Sequence, residues 1–443
     1  MRKNNKILGI FWVIGYAFLT LTPILMMALG PKISNRPALL DLSAGLAFTG
    51  LSIMALQFIL AGRIKILNRP FGTDLVYHFH RQIGIASFIM VFSHPILLFI
   101  LDSRYIRLLN IFTSPIRAKA GLTALLLLVA VILTSEYRQK IKWSYKQWKI
   151  WHGIFSTVMI GLATVHILLA GNYINLPWKR ALWAIYSAGF IGILIYTRII
   201  YPLKLIRKSY IVKKVKTEPG DVISVTMEPD DHKGFNFSPG QFAWLTAWKT
   251  PFSDTEHPFS IASSAETKGL IEMSIKKFGD FTTKIGSLQP GERVFLDGPY
   301  GSFNLDRYSE AEKLVFIPGG IGVTPIMSML RTMADREDKR PILLFYCNRV
   351  WETLTFREDI KELENRLNMT TIFTIEKPPK KWDGESGFLN RNILNKHSPT
   401  DWVATGTDVF LCGPTPMMNA VEKELLAVGY TDKQIHTERY ALV

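Results

Sequence analysis

Four histidines stand at two identical intervals in the apolar half of the chain: His80 to His94, and His152 to His166, each pair 14 residues apart. In an α-helix that interval advances about 21 Å and returns to within about 40° of the same face. Two such helices side by side present two levels of paired imidazoles, suited to opposite faces of an apolar layer about 30 Å thick. Imidazole is an axial ligand of haem iron. The pattern therefore predicts His80 with His152, and His94 with His166, as metal ligands of two stacked haems, a path for electrons through a membrane. His78 fails the same test, because its offset from His94 turns it about 160° off that face. A polar side chain inside a membrane is costly and mostly functional, although a single histidine can also serve as a helix–helix hydrogen-bonding group. Zinc fits less well, since each level offers two nitrogens where a structural site takes four ligands.

The elements that must hold these residues read as membrane spans. Apolar stretches recur at Ile7–Leu29, Ala38–Leu60, Leu75–Leu101, Leu122–Thr134, Ile150–Ala170 and Ala181–Ile200. Most reach the roughly 20 residues needed to cross, and the fourth is the shortest. The first follows Arg2, Lys3 and Lys6, but its length and the lack of a small-residue cleavage site favour a retained helix over a signal peptide. With six spans, the even-numbered loops and both flanks hold 17 Lys and Arg, and the opposite side holds eight. The positive-inside rule then predicts cytoplasmic termini, with His80 and His152 at the inner level and His94 and His166 at the outer.

The net charge of +16 belongs wholly to this half: residues 1–214 carry 26 Lys and Arg against 4 Asp and Glu, and residues 215–443 carry 26 against 32. That distribution orients helices in a bilayer and supplies no basic patch on a folded surface, so no nucleic-acid partner is expected. Cys347 and Cys412 match no disulfide or metal spacing and suit a reducing compartment.

From Tyr210 the texture changes to strands and turns. Tyr210–Lys216 and Val222–Glu228 flank the turn Glu218-Pro219-Gly220-Asp221 as a hairpin, and further strands are expected at Gln241–Ala247, Phe259–Ala262, Leu270–Ile275 and Arg293–Leu296. This predicts a small antiparallel barrel ending near Phe303. After Glu310 the pattern becomes βαβ: a strand at Leu314–Ile317, a helix to Met333, a strand at Ile342–Cys347, a helix near Phe356–Leu367 and a strand at Asp408–Cys412. Such alternation predicts a parallel sheet with helices on its faces.

Four further groups of residues there could do chemistry. His257, Pro258, Phe259 and Ser260 open the run ending Ile261-Ala262-Ser263. Gly279, Asp280, Phe281 and Thr282 form a strand–turn–helix junction with a helix from Phe281 or Thr282, whose N–H groups suit a pyrophosphate. Gly319, Gly320 and Gly322 follow a strand directly, with Thr324 to cap a helix and Pro325 at its first position, a dinucleotide-type turn. Cys412, Gly413 and Pro414 stand at another strand's carboxyl end, where open α/β sheets bind ligands. Cys412 is either a reactive centre or a small buried residue, and Tyr440 either stacks on a flavin or fills a core. Arg349, after the strand ending at Cys347, is placed to hold a 2′-phosphate, and no acidic residue stands at that strand end, which favours NADPH over NADH.

Together these residues resemble the NADPH oxidase and ferric reductase family over roughly residues 40–443. His-Pro-Phe-Ser-Ile matches its flavin motif and Gly279-Asp280-Phe281-Thr282 its pyrophosphate loop. Asp297-Gly298-Pro299-Tyr300-Gly301, Gly319 to Pro325 and Cys412-Gly413-Pro414 match further signatures in the right order. The resemblance implies a multidomain membrane protein: a six-helix transmembrane bundle with two haems b over 1–206, an antiparallel FAD-binding β-barrel over 207–306, and an α/β parallel-sheet nicotinamide-binding domain over 307–443. It implies Cys412 and Tyr440 as catalytic positions, although here Tyr440 is followed by Ala441-Leu442-Val443, where animal oxidases end on an aromatic residue. Electrons would pass from cytosolic NADPH or NADH through FAD and the haems to oxygen, a ferric chelate or a quinone outside. Arg104, Arg107, Arg117 and Lys119 are candidate outer-loop cations, and Arg81 and Arg198 would face either haem propionates or lipid headgroups. The competing class is a transporter or sensor with a regulatory nucleotide-binding domain and proton-relaying histidines.

Overall fold

Long runs of Leu, Ile, Val and Phe with few charges can cross a bilayer only where each backbone group is bonded within its own helix. In the computed structural model of the protein, which describes residues 2–29, 36–62, 70–171, 173–253, 255–399, 402–403 and 406–439, those runs are six helices long and apolar enough to span a membrane. They are α1 (Arg2–Ala28), α2 (Ala38–Ala61), α3 (Thr73–Leu101), α4 (Ile116–Glu136), α5 (Tyr145–Ala170) and α6 (Pro177–Ile195). α2 packs along α3, and α4 along α5. Small residues allow the approach: a Cβ on Gly50 of α2 would lie 2.7 Å from Val91 Cγ2 and 2.9 Å from the Ser87 carbonyl of α3.

Two spans depart from expectation. α4 runs eight residues longer than the apolar core Leu122–Thr134, because helix hydrogen bonding continues through Arg117 and Lys119 at its polar start. The sixth span changes to a π-helical turn at Tyr196–Ile200 before resuming as α7 (Tyr201–Ile206).

The chain divides into two compact units, Met1–Pro202 and Leu203–Val443. In the second, β1 (Ser209–Glu218), β2 (Val222–Pro229), β3 (Phe242–Thr246), β4 (His257–Ser260), β5 (Ile271–Lys276) and β6 (Arg293–Tyr300) form an antiparallel sheet in the order β4-β3-β6-β1-β2-β5. An Ile261–Met273 bridge joins its outer strands, so the sheet closes into the expected barrel. Inward residues recur with period two along β2 and β5: Ile223, Val225 and Met227, then Ile271, Met273 and Ile275, all buried. The first hairpin turns through left-handed Gly220 (φ +82°) and Asp221 (φ +58°).

The remaining strands are all parallel, in the order β10-β9-β8-β7-β11-β12. They are β7 (Lys313–Pro318), β8 (Ile342–Asn348), β9 (Met369–Ile375), β10 (Glu385–Ser386), β11 (Thr407–Cys412) and β12 (Ile435–Glu438). Alternate residues serve opposite faces. Leu314, Phe316, Leu344, Tyr346 and Phe410 join one core, and Val315, Ile317, Phe345, Val409 and Leu411 join the other. After a five-residue helix, α8 (Asp280–Lys284), in the barrel, the covering helices are α9 (Val323–Asp335), α10 (Arg357–Glu364), α11 (Arg391–His397) and α12 (Thr415–Val428). The chain steps outward from β7 to β10, then returns to β11 on the other side of β7. That reversal places a topological switch point at the carboxyl ends of β7 and β11, the usual ligand crevice of such sheets.

Candidate functional site

The four histidines meet in pairs across α3 and α5. His80 and His152 have ring centres 6.4 Å apart, and so do His94 and His166. Two imidazoles ligating one metal from opposite sides, with bonds of about 2.0–2.1 Å and about 1.1 Å from nitrogen to ring centre, stand about 6.3 Å apart. Both pairs thus have the spacing of axial ligands. Among the described residues no three His, Cys, Asp or Glu gather as a metal site. A metal between two imidazoles needs further donors in the plane, which a porphyrin supplies.

Hydrogen bonds fix how the rings are presented. His166 Nδ1 lies 2.7 Å from the Arg117 carbonyl, which can only accept, so Nδ1 carries the proton and the Nε2 lone pair is free for a metal. His94 Nδ1 lies 2.7 Å from Ser43 Oγ and 3.2 Å from the Ser43 carbonyl. His152 Nδ1 lies 3.1 Å from Ser135 Oγ, which also accepts from Trp148 Nε1 at 3.2 Å. His80 Nδ1 is buried with no partner among the described residues, while its carbonyl accepts from Gln57 Nε2. His78 is exposed. Ser43, Ser135 and the Arg117 carbonyl carry no signal in the sequence, because each reaches its histidine from another helix. Gly121 does carry one, as a glycine inside a helix: a Cβ there would lie 2.7 Å from His166 Nδ1. Arg81 is held by Glu136 at 3.0 and 3.2 Å. Arg198 sits on the π-helical turn, and its Nη2 lies 3.4 Å from where a Gly153 Cβ would be, beside His152.

In the second unit the barrel brings the two flavin-type stretches together. β4 carries His257 to Ser260 in register against Leu245 to Phe242 of β3. The His257 ring lies 4.1 Å from that of Phe281, and Phe259 stacks at 6.0 Å and 17° on the same ring. The helix begins at Asp280, one or two residues earlier than expected. Thr282 Oγ1 accepts from the N–H groups of Phe278 and Gly279, both at 2.8 Å, so the N–H groups left to face a phosphate begin at Asp280. A Cβ on Gly279 would meet nothing within 4 Å, and Phe278 is 96% exposed. The junction is open on the side where a ligand would lie.

The glycine-rich turn after β7 has a different economy. A Cβ on Gly322 would collide with the backbone of Cys412 and Gly413, one on Gly413 would lie 3.1 Å from Gly319 Cα, and one on Gly319 would collide with Met417. These three glycines let the turns after β7 and β11 pack on each other. Gly320 (φ +54°) meets only Asn348 Oδ1, at 3.9 Å, and is the glycine left open to a ligand. Thr324 does not cap. It is the second residue of α9, and its hydroxyl donates to the Ile321 carbonyl at 2.9 Å; Pro325 is the third residue. Cys412 is fully buried in the core with Phe316, Tyr346 and Phe410, and its carbonyl accepts from Gly319 N–H at 2.8 Å. Pro414 is the N-cap of α12. On β8, burial pushes the Cys347 thiol up to about 12, so it stays protonated.

Arg349 is exposed beyond the end of β8. Its carbonyl accepts from Lys377 N–H at 2.8 Å, and the Asn348 carbonyl from Glu376 N–H at 3.0 Å. The segment that follows the neighbouring strand β9 thus runs beside Arg349 and carries Glu376 and Lys377 there. Tyr440 lies outside the described residues.

Three family models match along the chain: a ferric reductase like transmembrane component over residues 46–197, an FAD-binding domain over 207–304, and an oxidoreductase NAD-binding domain over 316–423. The reductase component of propane 2-monooxygenase from Rhodococcus jostii is 28% identical over 237 residues, which are 52% of this chain and 62% of that protein. The protein of the same name from Mycolicibacterium smegmatis is 33% identical over 218 residues, 47% of this chain and 60% of that protein. NADH-cytochrome b5 reductase 2 from Mycosarcoma maydis is 29% identical over 200 residues, 41% and 57%. The chain thus spans about three-fifths of the length of these curated relatives. Among solved structures, the FAD/NAD-binding domain of nitric oxide dioxygenase from Vibrio cholerae superposes with a TM-score of 0.46 at 22% identity, over 52% of this chain and 97% of that one. In their order, a ferric-reductase-type membrane component, an FAD-binding domain and an NAD-binding domain are the architecture of the NADPH oxidase and ferric reductase family, and this chain has it.

Proposed function

We propose that this protein is a transmembrane oxidoreductase carrying electrons from cytoplasmic NADPH or NADH, through FAD and two bis-histidine haems b, to oxygen or a ferric chelate on the opposite side. The observation that supports it is the 6.4 Å ring separation, repeated at two levels 14 residues apart along the same two helices. Bound FAD supplies the conversion of a hydride donor into single-electron transfers, and bound haem relays single electrons.

The chain supplies position. Nε2 of His80 and His152 would hold one iron, and Nε2 of His94 and His166 the other. His257 to Ser260 and Gly279 to Thr282 border the flavin. Gly319, Gly320, Gly322, Thr324, Gly413 and Pro414 shape the nucleotide turn, and Cys412 anchors it through its carbonyl. Tyr440 is assigned to the flavin face, and Arg349 with Lys377 to the 2′-phosphate. Arg104 is paired with Asp102 at 2.7 Å. Arg107, before α4, and Arg117 and Lys119, in the first turn of α4 rather than in the loop, are the charges assigned to an anionic chelate.

Haem content of the purified full-length protein tests the proposal. Two haems b per chain are expected, falling to one in His94→Ala or His166→Ala and unchanged in His78→Ala. A colourless protein that still binds nucleotide would point instead to the transporter or sensor class. Parallel assays of superoxide release and ferric-chelate reduction then choose the acceptor.

A further inference from the structure

The four imidazoles are chemically alike, yet their Nδ1 surroundings differ by level. Around His94 and His166 both rings have a short acceptor, Ser43 Oγ at 2.7 Å and the Arg117 carbonyl at 2.7 Å, and His94 Nδ1 has the Ser43 carbonyl at 3.2 Å as a second, longer one that remains in Ser43→Ala. Around His80 and His152 the one partner among the described residues is Ser135 Oγ, at 3.1 Å. Ser43 is fully buried, and its hydroxyl hydrogen is given to the His94 carbonyl at 3.1 Å, which leaves a lone pair for the ring N–H. Ser135 Oγ donates to the Val131 carbonyl at 2.7 Å and shares its lone pairs between Trp148 and His152. It is the longer and more divided acceptor.

A ligating imidazole that gives its other N–H to an acceptor becomes more basic. Greater basicity favours ferric over ferrous iron, and such hydrogen bonding is one of the levers on haem potential. Resting on the two-haem reading above, we propose that Ser43 is a positioning residue which, with the Arg117 carbonyl, makes the haem between His94 and His166 the lower-potential member of the pair. Ser135 exerts a weaker pull on the other. The consequence is directional: the stronger reductant stands at the end where the acceptor is met, and the chain sets that inequality without changing a ligand.

Potentiometric titration of the full-length protein, followed in the visible α bands and in the low-spin ferric signals, tests this. Wild type should titrate in two components, and His166→Ala should remove the lower one. Ser43→Ala should raise the lower component by a threefold to tenfold change in the ferric–ferrous equilibrium, roughly 30–60 mV for one electron, and leave the upper component in place. Ser43→Thr, which keeps the hydroxyl, should restore it. Ser135→Ala should move the upper component, and by less. Two bound haems with an unmoved lower component in Ser43→Ala would overturn the proposal, as would loss of the upper component in His166→Ala. If Ser43→Ala does not accumulate, His166→Ala and Ser135→Ala decide. A wild type without haem would overturn the two-haem reading itself.

Discussion

A hydrogen atom in place of a methyl at position 121 decides how near α5 can come to α4. An alanine Cβ there would stand 2.7 Å from His166 Nδ1 and 3.0 Å from its Cε1. His166 then cannot keep its bond to the Arg117 carbonyl. Gly121→Ala should bring haem content from two toward one per chain and cost about 1–3 kcal/mol of stability through overpacking. A pyridine haemochrome assay beside a thermal melt checks both. At the nucleotide site, Arg349→Ala should raise the KM for NADPH relative to NADH by about 1.5–3 kcal/mol, the worth of a charged hydrogen bond. Glu376, whose N–H bonds the Asn348 carbonyl beside Arg349, should act in the opposite sense if its carboxylate reaches the same phosphate: Glu376→Gln should then improve the preference for NADPH. Steady-state kinetics on both nucleotides measure these effects, and equal changes for the two would remove Arg349 and Glu376 from nucleotide choice.

Elements were legible in proportion to how far their own residues determined them. The six spans and most barrel strands declare themselves because apolar runs and period-two alternation are local. β9 could have been found, since Thr370-Thr371-Ile372-Phe373-Thr374-Ile375 is a β-branched and aromatic run. α12 could have been found from Ala420 to Val428, a run of helix formers. β12 reads Ile-His-Thr-Glu and β10 has two residues; both exist because a neighbouring strand end offers bonds, which no local pattern reveals. The π-helical turn and the failed Thr324 cap have the same cause, a hydrogen-bond choice made after folding. Glu385 makes one such choice consequential. It ties β10 to α11 by accepting from His397 Nε2 at 2.6 Å and Lys396 Nζ at 2.7 Å. The bond from His397, then that from Lys396, hold its carboxyl below the usual 4.5. A depressed carboxyl contributes stability that is present above its unfolded value and lost as pH falls through the folded one. Protection factors for amide exchange in Arg391–His397, taken against the intrinsic rate at each pH, should therefore fall as pH drops below about 4.5, and Glu385→Gln should flatten that dependence.

At the scale of the molecule, the 17-to-eight division of positive charge sets the proposed orientation. A reporter fused after Val443 that works only in the cytoplasm should be active, and activity confined to a reporter that works only outside would reverse the orientation. With that orientation, the two histidine levels acquire a meaning in volts. Their separation of about 21 Å is roughly two-thirds of an apolar layer about 30 Å thick. A full crossing by one charge is worth about 2.3 kcal/mol per 100 mV, so the step between levels feels about 1.6. An interior-negative membrane pushes electrons outward along this path. On the proposed path every turnover would remove negative charge from the cell and spend the voltage that drove it. Unless positive charge left in parallel, the proposed current through His80, His152, His94 and His166 would bring itself to a halt.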